Sequence, residues 1–182
     1  MITVAPELEN ALEVISYLAS KKIIAAIGHS DGSYADALKA VDAGAALVTH
    51  FSNGMSKLKD GERTFATALL YETSIPLELI MDGHHVSRED TASIASVAGD
   101  RMIFVTDAMA AAGQPDGQYS IGDLDVVVTE SVARLKSNGA LAGSTLTMQR
   151  AVDKARDFKI SEEVIRNAAI SLPTKLLDRT RQ

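Results

Sequence analysis

The fold is decided by residues 23–51, IIAAIGHSDGSYADALKAVDAGAALVTHF. The apolar runs at 23–29 and 46–51 are short and rich in aliphatic side chains, which is typical of buried strands. Between them, Ser33 is a candidate N-cap and Gly44 a candidate helix end. A strand, a helix and a second strand in this order predict a parallel βαβ unit.

The same alternation continues outward along the chain. Residues 2–5, 76–83 and 102–108 form three more apolar runs, and helical patterns lie at 62–71 and 87–99. Strands that alternate with helices, each strand nearly continuous in apolar residues, indicate a parallel sheet covered on both faces. The sequence therefore predicts an α/β fold with about five βα units.

A turn-rich segment follows the fifth run. The segment 117–141 contains GD and NG steps between short alternating stretches, which predicts β-hairpins. Helical patterns over 147–157 and 161–170 follow it. We expect a single domain over residues 1–182, with the hairpins as an insertion.

Composition limits the classes of function. The chain has 182 residues, 46% of them hydrophobic, which is enough for one sizeable core. A formal net charge of −6 argues against nucleic-acid binding. Without cysteine, a metal site would need His, Asp or Glu ligands. No apolar run approaches the roughly 20 residues of a membrane span, so we expect a soluble, cytoplasmic protein.

Reactive side chains stand at the ends of four predicted strands. His29, His50 and Asp107 each end a strand, and the pair His84 and His85 follows another. In a parallel barrel the carboxyl ends of all strands open onto one face, so these groups would share a cavity. Each also has an ordinary interpretation, because a histidine there can be a structural hydrogen-bonding group and an aspartate a helix cap.

This combination of side chains suits amide hydrolysis. Neutral imidazoles bind Zn²⁺ and similar divalent ions. Such an ion polarises a carbonyl and acidifies water, while a nearby carboxylate carries the proton to the leaving amine.

Several ordered segments carry a resemblance to a known family. GHSDGSYADALKAVDAGAALVTHFSNGM (28–55), MDGHHV (81–86), FVTDAMAAAG (104–113) and LAGSTLTM (141–148) resemble segments of the N-acetylglucosamine-6-phosphate deacetylases, in the amidohydrolase superfamily. The opening TVAPE (3–7) also fits. The resemblance implies a partial TIM-type (β/α)8 barrel of the metal-dependent hydrolase kind, corresponding to the later part of a family member.

The resemblance also implies roles in catalysis. His29 and His50 match the two metal-binding histidines, and Asp107 matches the general acid and base. The expected cofactor is a divalent metal, Zn²⁺ first, with Fe²⁺, Mn²⁺ or Co²⁺ as alternatives. The third ligand of the family, a Glu, comes before Met1 in this comparison.

Further positions match substrate contacts of the family. His85 would contact the acetyl carbonyl, Asn53 and Gly54 would contact the sugar phosphate, and Leu141 would pack near the acetyl end. Asn53 and Gly54 also suit an ordinary turn.

Recognition of the phosphate depends on a less direct match. Gly61 stands where the family has its phosphate-binding Arg. Arg63 is the candidate substitute, with Lys57 or Lys59 as helpers, although an Arg at such a position also suits a solvated surface charge.

Two hypotheses of different class remain open. The first is deacetylation of N-acetylglucosamine 6-phosphate to glucosamine 6-phosphate and acetate, with another amidohydrolase activity, deaminase or dihydroorotase-like, as the alternative enzyme. The second is an inactive fragment or degenerate homologue that binds a sugar phosphate or self-associates. Because five strands leave two sheet edges unpaired, we expect a homo-oligomer or the rest of the barrel from a longer chain. The expected ligand is a small amino sugar phosphate, with neither nucleic acid nor membrane as a partner.

Overall fold

A five-stranded parallel sheet forms the centre of the molecule. The computed structural model describes residues 1–58 and 61–178. The strands pair in the order of the sequence, and every neighbouring pair is parallel. They are β1 (Ile2–Val4), β2 (Ala25–Ile27), β3 (Leu47–Val48), β4 (Leu77–Ile80) and β5 (Met102–Val105). The α/β class predicted from the alternation is confirmed.

Helices connect the strands and follow the last of them. They are α1 (Ala11–Ser20), α2 (Tyr34–Asp42), α3 (Phe65–Tyr71), α4 (Arg88–Ala98), α5 (Met148–Asp157), α6 (Glu162–Arg166) and α7 (Leu172–Asp178). Ser33 caps α2 as predicted, since its hydroxyl accepts from the Asp36 N–H and the Asp36 carboxylate accepts from the Ser33 N–H. Helix α3 begins later than the expected residue 62, because Thr64 takes the N-cap position.

The carboxyl end departs from the predicted helix over 161–170. Helix α6 passes into a π-helical turn (Asn167–Ser171), and α7 then continues to Asp178. Pro173 comes shortly after the π-helical turn, and α7 continues past it to Asp178.

The main core lies between the sheet and the helices. Its largest fully buried side chains are Phe51, Phe65, Ile15, Ile27, Leu69, Leu70, Leu77, Leu79, Ile80, Met81 and Ile94. Because these side chains come from both strands and helices, they fix the strand ends from which the candidate site extends.

A three-stranded antiparallel sheet occupies the predicted hairpin segment. It contains β6 (Gly117–Ile121), β7 (Leu124–Thr129) and β8 (Val132–Leu135), in that order. A small core of its own joins Val126, Val128 and Ala133 to Ala111 and Ala142.

The second face of the parallel sheet carries a smaller apolar cluster, formed by Ile24, Ala26, Leu47, Ile103 and Leu176. A groove of about 510 Å³ opens beside it. Across the two described ranges, no helix has the length and apolar character needed to cross a membrane.

Candidate active site

Two imidazoles meet at the carboxyl edge of the parallel sheet. The Nε2 atoms of His29 and His50 lie 2.8 Å apart. Their rings are edge to face, with centroids 4.5 Å apart and planes at 88°. His29 follows β2 and His50 follows β3, and the pairing of these neighbouring strands brings the side chains together.

The backbone at the strand ends is unusual. His29, His50 and Asp107 all have positive φ angles, of 51°, 28° and 47°. Side chains other than glycine seldom adopt this region, and such conformations persist where the surrounding structure enforces them, often at functional sites. The three residues that sequence reasoning assigned to metal binding and proton transfer share this feature.

His50 is held from two sides. Its ring Nδ1 lies 3.2 Å from the Asn53 carbonyl oxygen, and its backbone N–H donates to Glu78 Oε2 at 3.4 Å. An Nδ1 hydrogen bond to a carbonyl places the proton on Nδ1 and leaves the Nε2 lone pair for another partner. Burial lowers the pKa of His50, and the charge of a protonated His29 lowers it further. The neutral form that binds metals is therefore favoured.

Glu78 is a member of the site that sequence reasoning missed. It lies in β4 with only 9% of its surface exposed. Burial raises the pKa of its carboxyl, opposed by the hydrogen bond from the His50 N–H and reinforced by the negative charge of Asp107. The sequence offered one indication of its role, a charged residue inside the apolar run LELI. Buried charges are rare without a partner, so a glutamate there suggests a functional or paired group.

Asp107 is exposed and lies two residues after the end of β5. Its carbonyl oxygen accepts the Ser144 N–H at 2.8 Å, while the Ser144 hydroxyl donates to the Thr106 carbonyl. The negative charge of Asp107 adds to the rise in the pKa of Glu78 and partly offsets the lowering of the pKa of His50 by burial. Asp107 therefore lies within electrostatic reach of the histidine pair.

The turn after His50 packs against His29. The Asn53 N–H donates to the His50 carbonyl at 3.0 Å, and the Asn53 amide donates to the Phe51 carbonyl at 3.2 Å. Gly54 has a φ of 58°, and a Cβ there would lie 3.0 Å from His29 Nδ1. Glycine is needed at this position for its conformation and for the close approach of the imidazole.

His85 and Asp82 form a second unit after β4. His85 Nδ1 lies 2.6 Å from Asp82 Oδ2, and the side chain of His85 is 6% exposed. Burial would raise the pKa of Asp82, but hydrogen bonds from the His85 ring and from the backbone N–H groups of His85 and His84 outweigh it and hold the pKa below its ordinary value. His85 shares a cavity of about 210 Å³ with Leu141.

Arg63 lies in a different cavity from His85 and Leu141. Its guanidinium stacks 4.0 Å from the centroid of the Tyr34 ring, a cation–π contact. Arg63, the residue predicted to bind the phosphate, is therefore in contact with an aromatic ring. Of the helper candidates, Lys57 is exposed and Lys59 lies outside the described residues.

The donor atoms fit part of a metal site. The two Nε2 atoms converge, and the Nδ1 contact of His50 is the kind of outer hydrogen bond that orients a ligating imidazole. Among residues 1–58 and 61–178, no group of three or more His, Cys, Asp or Glu side chains could hold a metal ion. His29 and His50 are therefore two candidate ligands, and water or a further side chain would complete the coordination.

Comparison with known proteins gives two curated relatives of note. The N-acetylglucosamine-6-phosphate deacetylase of Vibrio furnissii is 40% identical over 151 residues, covering 83% of this chain and 38% of that protein. The N-acetylgalactosamine-6-phosphate deacetylase of Escherichia coli O157:H7 is 39% identical over 152 residues, covering 84% of this chain and 40% of that protein. No protein-family model matches the chain.

Solved structures agree in fold. A variant of the N-acetyl-D-glucosamine-6-phosphate deacetylase of Mycobacterium smegmatis, in complex with N-acetyl-D-glucosamine-6-phosphate, matches with a TM-score of 0.91 and 34% identity, over 98% of this chain and 48% of that one. The N-acetylglucosamine-6-phosphate deacetylase of Thermotoga maritima matches with a TM-score of 0.89 and 35% identity, over 97% of this chain and 48% of that one.

The parallel sheet with a polar cluster at its carboxyl edge defines the class of protein as α/β, and the sequence and structure neighbours agree on one family. More particularly, the chain is a homologue of the N-acetylglucosamine-6-phosphate deacetylases, as the ordered segments predicted. It spans between 38% and 48% of the length of the proteins compared above.

Proposed function

We propose that the chain carries part of the active site of a metal-dependent deacetylase. The reaction is hydrolysis of the acetamide of N-acetylglucosamine 6-phosphate to glucosamine 6-phosphate and acetate. The observation that carries the proposal is the 2.8 Å approach of the His29 and His50 Nε2 atoms, in a chain whose relatives are named as deacetylases.

His29 and His50 would hold the metal ion, with Zn²⁺ as the first candidate and Fe²⁺, Mn²⁺ or Co²⁺ as alternatives. When bound, such an ion supplies a Lewis acid that polarises the amide carbonyl and lowers the pKa of water. The contribution of the chain is to keep His50 neutral by burial and to aim its Nε2 through the Asn53 carbonyl.

Asp107 serves as general base and then as general acid. Its carboxylate takes a proton from the attacking water and passes it to the nitrogen of the leaving amine. His85 orients the acetyl group: Asp82 occupies its Nδ1 side, so Nε2 is the ring nitrogen left to contact the carbonyl oxygen.

The substrate is a small amino sugar phosphate. Asn53 and Gly54 offer the backbone of a tight turn to the sugar phosphate, and Leu141 packs against the acetyl methyl. Arg63 is proposed to contact the phosphate. Its guanidinium carbon lies 4.0 Å from the centroid of the Tyr34 ring, and a guanidinium can donate two parallel hydrogen bonds to a phosphate.

A second function is supported by the length of the match. Because the chain spans 38% to 48% of its relatives, and the described residues contain no three-ligand metal group, an inactive homologue that binds a sugar phosphate or self-associates is the alternative. The apolar groove next to Leu47, Ile103 and Leu176 gives such association a surface. Its proposed occupant is a second copy or the remaining strands of the barrel.

Release of acetate tests the proposal. The chain is supplied with Zn²⁺ and N-acetylglucosamine 6-phosphate, and acetate is measured over time. We expect the wild-type chain to release acetate and Asp107→Asn to lose about 100-fold or more of the rate, because the proton carrier is removed. Asp123→Asn makes the same change in the exposed turn between β6 and β7 and should keep the wild-type rate.

The two functions give different results. No acetate from the wild-type chain favours the second function. Release at the wild-type rate by Asp107→Asn contradicts the role given to that carboxylate.

A further inference from the structure

Glu7 precedes α1 and reaches across to the loop that follows His29. Its Oε2 accepts a hydrogen bond from the Ser30 hydroxyl at 2.6 Å. Its Oε1 accepts from the backbone N–H of Asp31 at 2.9 Å. One carboxylate thus binds two successive residues of the loop through its two oxygens, and hydrogen bonds to an ionised acceptor are among the stronger ones in proteins.

Ser30 extends this contact to the second histidine loop. Its side chain is nearly completely buried, and its hydroxyl oxygen accepts from the Gly32 N–H at 3.0 Å. Its backbone N–H donates to the Gly54 carbonyl at 2.9 Å. A continuous set of hydrogen bonds therefore joins Glu7 to the loops after both imidazoles.

Gly32 makes room for the carboxylate. A Cβ at this position would lie 2.9 Å from the Ser30 hydroxyl oxygen and 3.3 Å from Glu7 Oε2. The loop therefore closes around the carboxylate so tightly that a methyl group at Gly32 would force a shift.

The conformation of His29 needs such support. Its φ of 51° lies in the left-handed region, which an ordinary side chain keeps only when neighbouring contacts determine it. The residue directly after it is Ser30, which is fixed on one side by Glu7 and on the other by Gly54.

We propose that Glu7 is a positioning residue for the histidine pair, and that its carboxylate clamps residues 30–32 so that the His29 imidazole meets that of His50. The proposal rests on the proposed function in treating His29 and His50 as the working pair. It goes further by assigning a role to the TVAPE segment, which the proposed mechanism leaves unused.

The test reads the imidazoles directly, without metal or substrate. Long-range ¹H–¹⁵N spectra report the ring nitrogens of His29 and His50, and hydrogen exchange reports the Asp31 amide. In Glu7→Ala we expect the Nε2 signals of both rings to shift and the Asp31 amide to exchange about tenfold faster, since a charge-assisted hydrogen bond is lost. Glu7→Gln retains an acceptor oxygen and should restore most of the wild-type spectrum.

Glu9→Ala is the matched control. It removes a carboxylate two residues away in the same exposed segment and should leave both rings unchanged. Thermal unfolding of each variant separates global stability from positioning. A Glu7→Ala protein that melts earlier but keeps the wild-type imidazole signals overturns the proposal.

A second variant guards against failure of Glu7→Ala to fold. Ser30→Ala deletes the hydroxyl that contacts Glu7 and should shift the same imidazole signals, whereas unchanged signals overturn the proposal. These readouts are independent of zinc and of acetate release, so failure of the proposed function remains distinguishable from failure of the clamp.

Discussion

Asp82 holds His85 in place by accepting from its ring at 2.6 Å and from its backbone N–H at 2.9 Å. One carboxylate thereby fixes both the turn after β4 and the orientation of the imidazole. The cavity wall next to Leu141 therefore depends on the charge state of Asp82.

Acid should weaken the fold through Asp82. Because the pKa of this carboxyl is depressed in the folded chain, its contribution to stability is present above the pKa of the unfolded chain and is lost as the pH falls through the folded value, below about pH 4. Asp82→Asn should lower the free energy of unfolding at neutral pH by about 1–3 kcal/mol. As the pH is lowered, the free energy of unfolding of Asp82→Asn should fall less steeply than that of the wild type.

Urea unfolding at a series of pH values measures this effect. Asp123→Asn, an exposed turn residue, should follow the wild-type curve. Parallel curves for Asp82→Asn and the wild type would contradict the assigned role.

Glu78 should have the opposite pH dependence. Burial raises its pKa, so the folded chain binds the proton more tightly than the unfolded chain, and stability is lost as the pH rises through the raised value. Glu78→Gln should remove this loss and be as stable as the wild type, or about 1 kcal/mol more stable, above neutral pH. Glu89→Gln on the exposed side of α4 is the control. It should change neither the free energy of unfolding nor its dependence on pH. If Glu78→Gln lost as much stability with rising pH as the wild type does, the role assigned to the Glu78 carboxyl would be contradicted.

Gly54→Ala should disturb the site more than an equivalent glycine elsewhere. The left-handed conformation alone costs an alanine about 1–2 kcal/mol, and the added Cβ would also lie 3.0 Å from His29 Nδ1. Gly122→Ala is matched in conformation, with a φ of 55° against 58°, but has no atom within 4 Å of the added Cβ. Chemical unfolding should show a loss in both variants, and only Gly54→Ala should shift the His29 ring signals. Identical His29 ring signals in the two variants would contradict the close contact assigned between position 54 and His29.

The sequence predicts the strand ends well, because a buried parallel strand must be apolar and must stop at the polar residues that follow it. His29, His50 and Asp107 could be placed at one edge for that reason. Their positive φ angles could not be predicted, since no local rule selects the left-handed region for His or Asp.

Contacts between segments that are distant in the chain also could not be predicted from the sequence. The stacking of Arg63 on Tyr34 and the bond from Glu7 to Ser30 depend on how helices and loops pack, and a single sequence carries no signal of these pairings. Helix α7 was not predicted, because a proline such as Pro173 more often marks the end of a helix than its continuation.

Titration calorimetry with Zn²⁺ measures directly whether His29 and His50 act as two ligands of one metal site. We expect one Zn²⁺ per chain, with affinity weakened about tenfold or more in His29→Asn and in His50→Asn and unchanged in Asp123→Asn. Zinc affinity that is the same in the wild type and in both histidine variants would contradict this expectation.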